Sequence, residues 1–423
     1  MRIAWFSPLP PARSGIAAYS AELLPLLAAD QQIDAFVDRP SDASGAARVF
    51  DAHDFVWRHR LEPYDLIVYQ LGNARCHDYM WAYLARYPGL VVLHDARLHH
   101  ARARQLLQNE RFDDYRQEFR FDHPDAPQDF AEYAVEGLGG PIYYFWSMLR
   151  TVVSSAKTVA VHNGRVADDL RREFPDVPVE TIRMGVGATA AGDEARAATR
   201  RALTIPDQAI VFAAFGKVTA AKRIGAILRA VAALKADGVP AFALLVGDAD
   251  DYPLAADIAT LAIDDRVRVT GYVPDESIGR YLAAADVCVC LRWPTALETS
   301  ASWLRCLAAG RPTAISDLAH LADVPANVAA RIDLLDEDRA LLATMRELAA
   351  SPSRRLALAS AGRAYWESQH TLAHMAGDYR RVLQESAARA ARPPADLPAH
   401  LTMDHTAHAR AIARAFGVEV DLI

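Results

Sequence analysis

Cysteine is scarce: four residues in 423, Cys76, Cys288, Cys290 and Cys306. Their spacing matches neither a zinc ribbon nor a dense disulfide scaffold. Cys288 and Cys290 alternate within an apolar run, so the thiols are expected to be reduced core residues. No apolar stretch approaches the roughly 18 residues of a membrane span. The N-terminal MRIAWFSPLPP meets its prolines after too short an apolar run for a secretory signal. Positive charge is not in excess either: 46 Lys and Arg against 53 Asp and Glu give a formal net charge of -7. That removes any global attraction for nucleic acid, while leaving room for a local basic pocket. A cytoplasmic protein is the simplest reading of these absences.

What is present is an ordinary globular composition, 52% hydrophobic, 23% charged and 9% aromatic. Such a length exceeds what one hydrophobic core supports, so two domains of about 150–200 residues with a cleft between them are expected. Short apolar runs alternate with helical patterns: RIAWFSP then SAELLPLLAA, LIVYQLG then MWAYLARY, LVVLHD, TVAVHN then VADDLRREF. After the Gly/Ala-rich RMGVGATAAGDEARAATRRALTIPD, read as a connection, a second series runs from IVFAAFG to RPTAISD. Both halves have the βαβ rhythm of a doubly wound parallel sheet. The predicted domains are residues 1–190, residues 191–365, and C-terminal helices over 366–423 packing back on the first domain, with an Ala/Arg/Pro-rich tail from about 385.

In such sheets ligands bind past the carboxyl ends of strands, where helix N-termini offer N–H groups. Four stretches sit there. In SPLPPARSGIAAYS, Gly15 lets backbone approach a ligand closely, although a Ser-capped helix needs the same residues. In FGKVTAAKR, Lys217 and Lys222 follow Gly216 and suit a diphosphate, although they are equally two solvated loop lysines. In VVLHDARLHH, His94 is placed to hydrogen-bond a substrate hydroxyl and to titrate near neutrality, or to be a satisfied strand-end histidine. His99 and His100 follow on a helix, where adjacent side chains diverge and no zinc set is completed. In RWPTALETSASWLRCLAAG, Thr299, Ser300 and Ser302 are N-cap residues for a helix ending at Gly310; its positive end lies beside Glu298, a sugar clamp or simply a cap.

Taken in this order, with VGD and RVRVTGYVPDESIGRYLAAADV between them, the motifs resemble retaining glycosyltransferases of the GT-B fold, family 4, over most of residues 1–380. The resemblance implies two Rossmann-like domains facing across a cleft. It implies that Gly15 and Gly216 approach the donor diphosphate, that Lys217 and Lys222 hold it, and that His94 and Glu298 contact the transferred sugar. Tyr272 and Val273 lie where such enzymes seat the nucleobase, and Thr299, Ser300 and Ala301 line the donor. The sequence departs from the pattern: Glu298 fits the first of two glutamates with a one-residue shift, and Ala301 stands where a bacterial branch with E-T-S-G followed by Arg has Gly. Lys217 replaces the usual Arg and loses its planar fork. Arg305 stands where a second glutamate binds ribose, and a guanidinium cannot accept a hydrogen bond. Arg305 is expected to pair with a phosphate or with a carboxylate such as Glu298.

The implied function is metal-independent transfer of a sugar, with retention, from a nucleotide diphosphate sugar to a glycan or lipid-linked acceptor. The donor is a substrate and no cofactor is called for. Partners are then the donor and acceptor, not nucleic acid. Localisation is cytoplasmic, with the inner face of the cell membrane as the place of a lipid-linked acceptor. The arginine-rich HHARARQLLQNERFDDYRQEFR is read as a solvated helical face rather than a membrane patch, because acids nearly balance its arginines. Two rivals stay open: a non-catalytic nucleotide-sugar-binding or scaffold protein, and a sugar phosphorylase or synthase.

Overall fold

The computed structural model describes residues 1–38, 47–127, 129–140, 142–189, 192–390, 397–403 and 406–417. The chain divides into two units, the first comprising Met1–Ile182, Ala296–Glu298 and Ala376–Ile423, the second Arg183–Thr295 and Thr299–Met375. The boundary drawn between residues 190 and 191 lies outside the described residues, as do residues 391–396, 404–405 and 418–423 of the tail.

In the first unit seven parallel strands, β1 Arg2–Phe6, β2 Gln32–Val37, β3 Arg48–Asp51, β4 Leu66–Leu71, β5 Leu90–Leu93, β6 Thr158–Val161 and β7 Val179–Thr181, lie in the order β3-β2-β1-β4-β5-β6-β7. Both faces of the sheet are covered, which is why IAWF, LIVYQL, LVVL and TVAV read as unbroken apolar runs. Phe6 stacks on Phe36 with ring centres 5.2 Å apart. The strand order reverses between β1 and β4, and there a doubly wound sheet opens a crevice past its carboxyl ends.

Between β5 and β6 the chain makes a helical excursion, including helices His99–Leu107 and Phe112–Asp122, with a small core of Leu106, Tyr115, Phe119 and Met148. This corrects the reading of a solvated face. Arg102 and Glu118, with side chains 3% and 1% exposed, form a buried ion pair, and His400 Nε2 donates to Glu118 at 2.7 Å. Burial pushes the Glu118 carboxyl up, but Arg102 and His400 outweigh it and hold it at about 2. The charges that balance in sequence are partly spent on each other inside.

The second unit has six parallel strands, β8 Ile210–Phe215, β9 Ala241–Val246, β10 Val267–Val269, β11 Val287–Cys290, β12 Thr313–Ser316 and β13 Ala330–Ile332, in the order β10-β9-β8-β11-β12-β13. Its reversal falls between β8 and β11. Helix Asp193–Ala202, read as a connection, belongs to this unit. Its Arg196 and Arg200 each meet Asp286 at 2.6 Å, and Arg200, 1% exposed, also donates to the Ala284 carbonyl. All four thiols are free; Cys288 and Cys306 are buried, whereas Cys76 and Cys290 are only half-buried, so the core assignment holds for two of them. Among the described residues no helix is long and apolar enough to cross a membrane.

Candidate active site

In the second unit β8 ends at Phe215 and the chain turns through Gly216 at φ +84°, a conformation that glycine adopts without a Cβ clash. Space imposes a second demand: a Cβ there would lie 2.6 Å from Lys222 Nζ and 3.6 Å from Ser302 Oγ. Lys222 closes the short turn Ala220–Lys222 and curls back to donate to the Phe215 carbonyl at 2.6 Å. Its ammonium is thereby pinned over Gly216, between the loop after β8 and the helix after β11. Those two elements flank the point where the strand order reverses. At the end of β9 a Cβ on Gly247 would overlap the Gly216 carbonyl, so these two loops pack backbone against backbone.

Lys217 has different company. It pairs with Asp251 of the loop after β9, and this hydrogen bond raises its pKa. The Lys222 ammonium is thus brought to Gly216, whereas that of Lys217 is held by Asp251.

The Thr/Ser-rich turn behaves as its chemistry demands. Ser300 is the N-cap, its Oγ accepting from Trp303 N at 3.2 Å, and the helix runs Ala301–Ala308. Gly310 at φ +63° ends it. The amides of Ala301 and Ser302 occupy its first turn, where the helix dipole favours an anion. Thr299 immediately precedes this cap. One turn further, Arg305 Nη2 lies 3.6 Å from Asp275 Oδ2. A carboxylate beside Arg305 is thus that of Asp275. That residue closes the segment containing Gly271 at φ +69°, Tyr272, which is 51% exposed, and Val273, which packs half-buried against the core around Phe215 and Tyr281.

Glu298 falls in the first unit. Its Oε2 accepts from Ala296 N at 2.9 Å, and Ala296 O accepts from Ala96 N at 2.8 Å. Between them Leu297 adopts φ +62° and packs on the apolar core. A left-handed Leu costs about 1–3 kcal/mol and persists only where its surroundings over-determine it.

Also in the first unit, Ser14 Oγ accepts from Ile16 N at 3.2 Å and caps helix Gly15–Leu27, while a Cβ on Gly15 would meet nothing within 4 Å. The local chemistry is thus a cap with open space beside it. His94 continues β5, its N–H donating to the Leu71 carbonyl. Burial, with His162 and then His77 nearby, pushes its pKa well below the ordinary histidine value. This corrects the expectation that it titrates near neutrality: a buried imidazole among other imidazoles stays uncharged. His99 and His100 both lie against the Tyr143 ring, at 4.9 and 5.0 Å between centres. His99 is buried and bonded to Tyr115, and His100 lies against Tyr143 and Tyr144. Among the described residues no group of three or more His, Cys, Asp or Glu side chains is arranged to hold a metal ion.

Sequence reasoning missed Gln70, whose Oε1 lies 2.8 Å from His94 Nε2, together with Tyr19 and Tyr379 beyond it. A signal existed for Gln70, an amide inside an otherwise apolar and aromatic strand. None existed for Tyr379. Asp251 and Asp275 were likewise passed over as partners of the cationic residues.

Residues 209–351 match the family model described as Glycosyl transferases group 1. Among solved structures, sucrose-phosphate synthase from Thermosynechococcus elongatus matches with a TM-score of 0.64 at 16% identity, over 91% of this chain and 98% of that one. HepE of Anabaena, solved in complex with UDP and glucose, gives 0.65 at 16% identity over 91% and 100%. WaaG, a glycosyltransferase involved in lipopolysaccharide biosynthesis, gives 0.64 at 14% identity over 91% and 100%. No curated protein matches in sequence. Two reversed parallel sheets, the group 1 domain model over the second of them, and these neighbours agree: the chain has the GT-B glycosyltransferase fold.

Proposed function

We propose that the protein is a retaining glycosyltransferase that moves a sugar, of the hexose type, from a nucleotide diphosphate sugar to a hydroxyl of a glycan or lipid-linked acceptor. The observation that carries this reading is the Lys222 ammonium held over Gly216 beside the first turn of helix Ala301–Ala308. A cation, a side chain-free backbone and a helix N-terminus together form a receptor for a diphosphate. The group 1 match over 209–351 and the UDP carried by a neighbour of the same fold support a nucleotide as the bearer of that diphosphate.

In the reaction the bond between the anomeric carbon and the diphosphate breaks, leaving oxocarbenium-like character on the sugar. Negative charge grows on the leaving phosphate, and Lys222 with the helix amides stabilises it. Glu298 and His94 orient the sugar, and because His94 is uncharged it does so by hydrogen bonding. Lys217, already opposed by Asp251, adds positive potential at the periphery. Arg305 and Asp275 flank the nucleoside end near Tyr272 and Val273, replacing the carboxylate contact to ribose. The leaving phosphate takes the acceptor proton as the new glycosidic bond forms on the face just vacated. Acceptor binding falls to the first unit, at the cytoplasmic face of a membrane if the acceptor is lipid-linked.

The test is a panel of nucleotide sugars beginning with UDP-glucose, scored by nucleotide release and by thermal shift. A donor at 100 times its Kd stabilises by about 2.7 kcal/mol, and product NMR reports the anomeric configuration. If no nucleotide sugar shifts melting or releases nucleotide with any glycan or lipid-linked acceptor, the proposal fails. Melting shifts without turnover would favour the non-catalytic rival.

A further inference from the structure

Gln70 is 0% exposed within β4. In the sheet register it faces Val92, so His94, two residues beyond, projects on the same face. Its Oε1 lies 2.8 Å from His94 Nε2. With the amide oxygen facing the ring Nε2 carries the proton, and an uncharged imidazole then has Nδ1 as a bare acceptor. The amide is oriented from its other side. Gln70 Nε2 donates to Tyr379 Oη at 3.1 Å, and Tyr379 Oη accepts from Tyr19 Oη at 2.6 Å. The Gln70 main-chain carbonyl is occupied by His77 Nδ1 at 2.8 Å. Tyr19 stands edge-on to His94 at 4.7 Å between ring centres, and His162 stands at 4.8 Å. The Tyr379 hydroxyl also lies 3.4 Å from Gln70 Oε1, so the His94 tautomer follows whichever side of the amide faces it.

We propose that Gln70, clamped by Tyr379 and Tyr19, is a positioning residue that holds His94 as the Nε2–H tautomer and so presents Nδ1 as an acceptor for a hydroxyl of the donor sugar. The identity of that hydroxyl rests on the glycosyltransferase reading; the tautomer does not. One consequence is specificity. A sugar must offer an O–H donor at this point, and a deoxyfluoro analogue, which only accepts, is rejected.

The experiment uses the full chain labelled with 15N at histidine, with the His94 resonances assigned by their loss in His94→Asn. Long-range proton–nitrogen spectra should show Nε2 protonated and Nδ1 bare between pH 6 and 8. In Gln70→Glu the tautomer persists, but the carboxylate draws imidazolium formation up toward that window despite the His162 and His77 rings; Tyr19, Tyr379 and Asp95 are the other titratable neighbours. Turnover of Gln70→Glu should then fall as pH drops, while the wild type stays flat. Gln70→Met should mix the tautomers and lower kcat by roughly tenfold or more with KM little changed. Tyr379→Phe, which frees the amide but keeps the ring, gives the same direction if Gln70→Met does not fold. A protonated Nδ1 in the wild type, or an unchanged tautomer in Gln70→Met, overturns the proposal. Absence of turnover with every nucleotide sugar would instead sink the glycosyltransferase reading, and the spectra would still decide the clamp.

Discussion

Replacing Gly216 with alanine adds one carbon at the point where the second unit gathers the groups proposed to hold the diphosphate. The new Cβ falls 2.6 Å from Lys222 Nζ, well inside contact distance, so the flexible ammonium must move off the Phe215 carbonyl that holds it. Two effects follow, and they separate. The first is on stability: alanine at φ +84° costs about 1–2 kcal/mol, and for a unit of this size each kcal/mol lowers Tm by about 2–4 °C. The second is on turnover. If Lys222 stabilises the leaving diphosphate, its displacement should cost about a hundredfold in kcat, about 2.7 kcal/mol of transition-state stabilisation. Lys222→Ala should cost about the same, and the double variant should be no slower than Lys222→Ala alone, because both changes remove one interaction. The assay is initial-rate nucleotide release from the best donor of the panel, with melting followed in parallel. A folded Gly216→Ala enzyme working at the wild-type rate, or losses that multiply in the double variant, would refute this account.

Asp286→Ala leaves the buried guanidinium of Arg200 without its carboxylate; a loss of about 3–5 kcal/mol in urea unfolding of the second unit is expected, and a loss under 1 kcal/mol would show that the cluster is dispensable. Arg305→Ala should weaken donor binding about tenfold while barely moving Tm, as measured by titration calorimetry; unchanged affinity and turnover would remove Arg305 from the donor site. Stability should also depend on pH through the buried histidines. Burial lowers His77 and His162 to about 4, below the ordinary 6.5 of the unfolded chain. The unfolded state therefore binds protons first, so their contribution is complete above pH 6.5 and is lost as pH falls toward 4, by about 3 kcal/mol for each ring. His77→Gln should flatten the slope of urea stability over that window by about one proton, and an unaltered slope would contradict the burial argument.

Strands and caps were legible because their causes are local. LIVYQL and AFALLV are buried on both faces and say so residue by residue, while Ser300 and Gly310 mark a helix that begins and ends where their side chains dictate. The edge strands β3 and β7 carry no such run: RVFD and VET are short and partly polar. Partnerships across long separations were not legible. Nothing near Lys217 announces Asp251, and nothing near Arg305 announces Asp275. The neutrality of His94 comes first from burial and then from His162 and His77, which arrive from other strands and loops. Arg102 and Glu118 read as surface charges because pattern alone does not reveal that each is the other's counter-ion.

The clamp on Gln70 has a consequence for biosynthesis. Its hydroxyl partner Tyr379 follows it by 309 positions, so at roughly 5–20 residues per second a ribosome separates the two by about 15–60 s. Throughout that interval the amino-terminal sheet carries an amide without its tyrosine, and the middle of the chain, Arg183 to Met375, is the first stretch able to condense nearly whole. A polypeptide released before Tyr379 carries every strand of its first sheet yet lacks the hydroxyl that bonds the Gln70 amide.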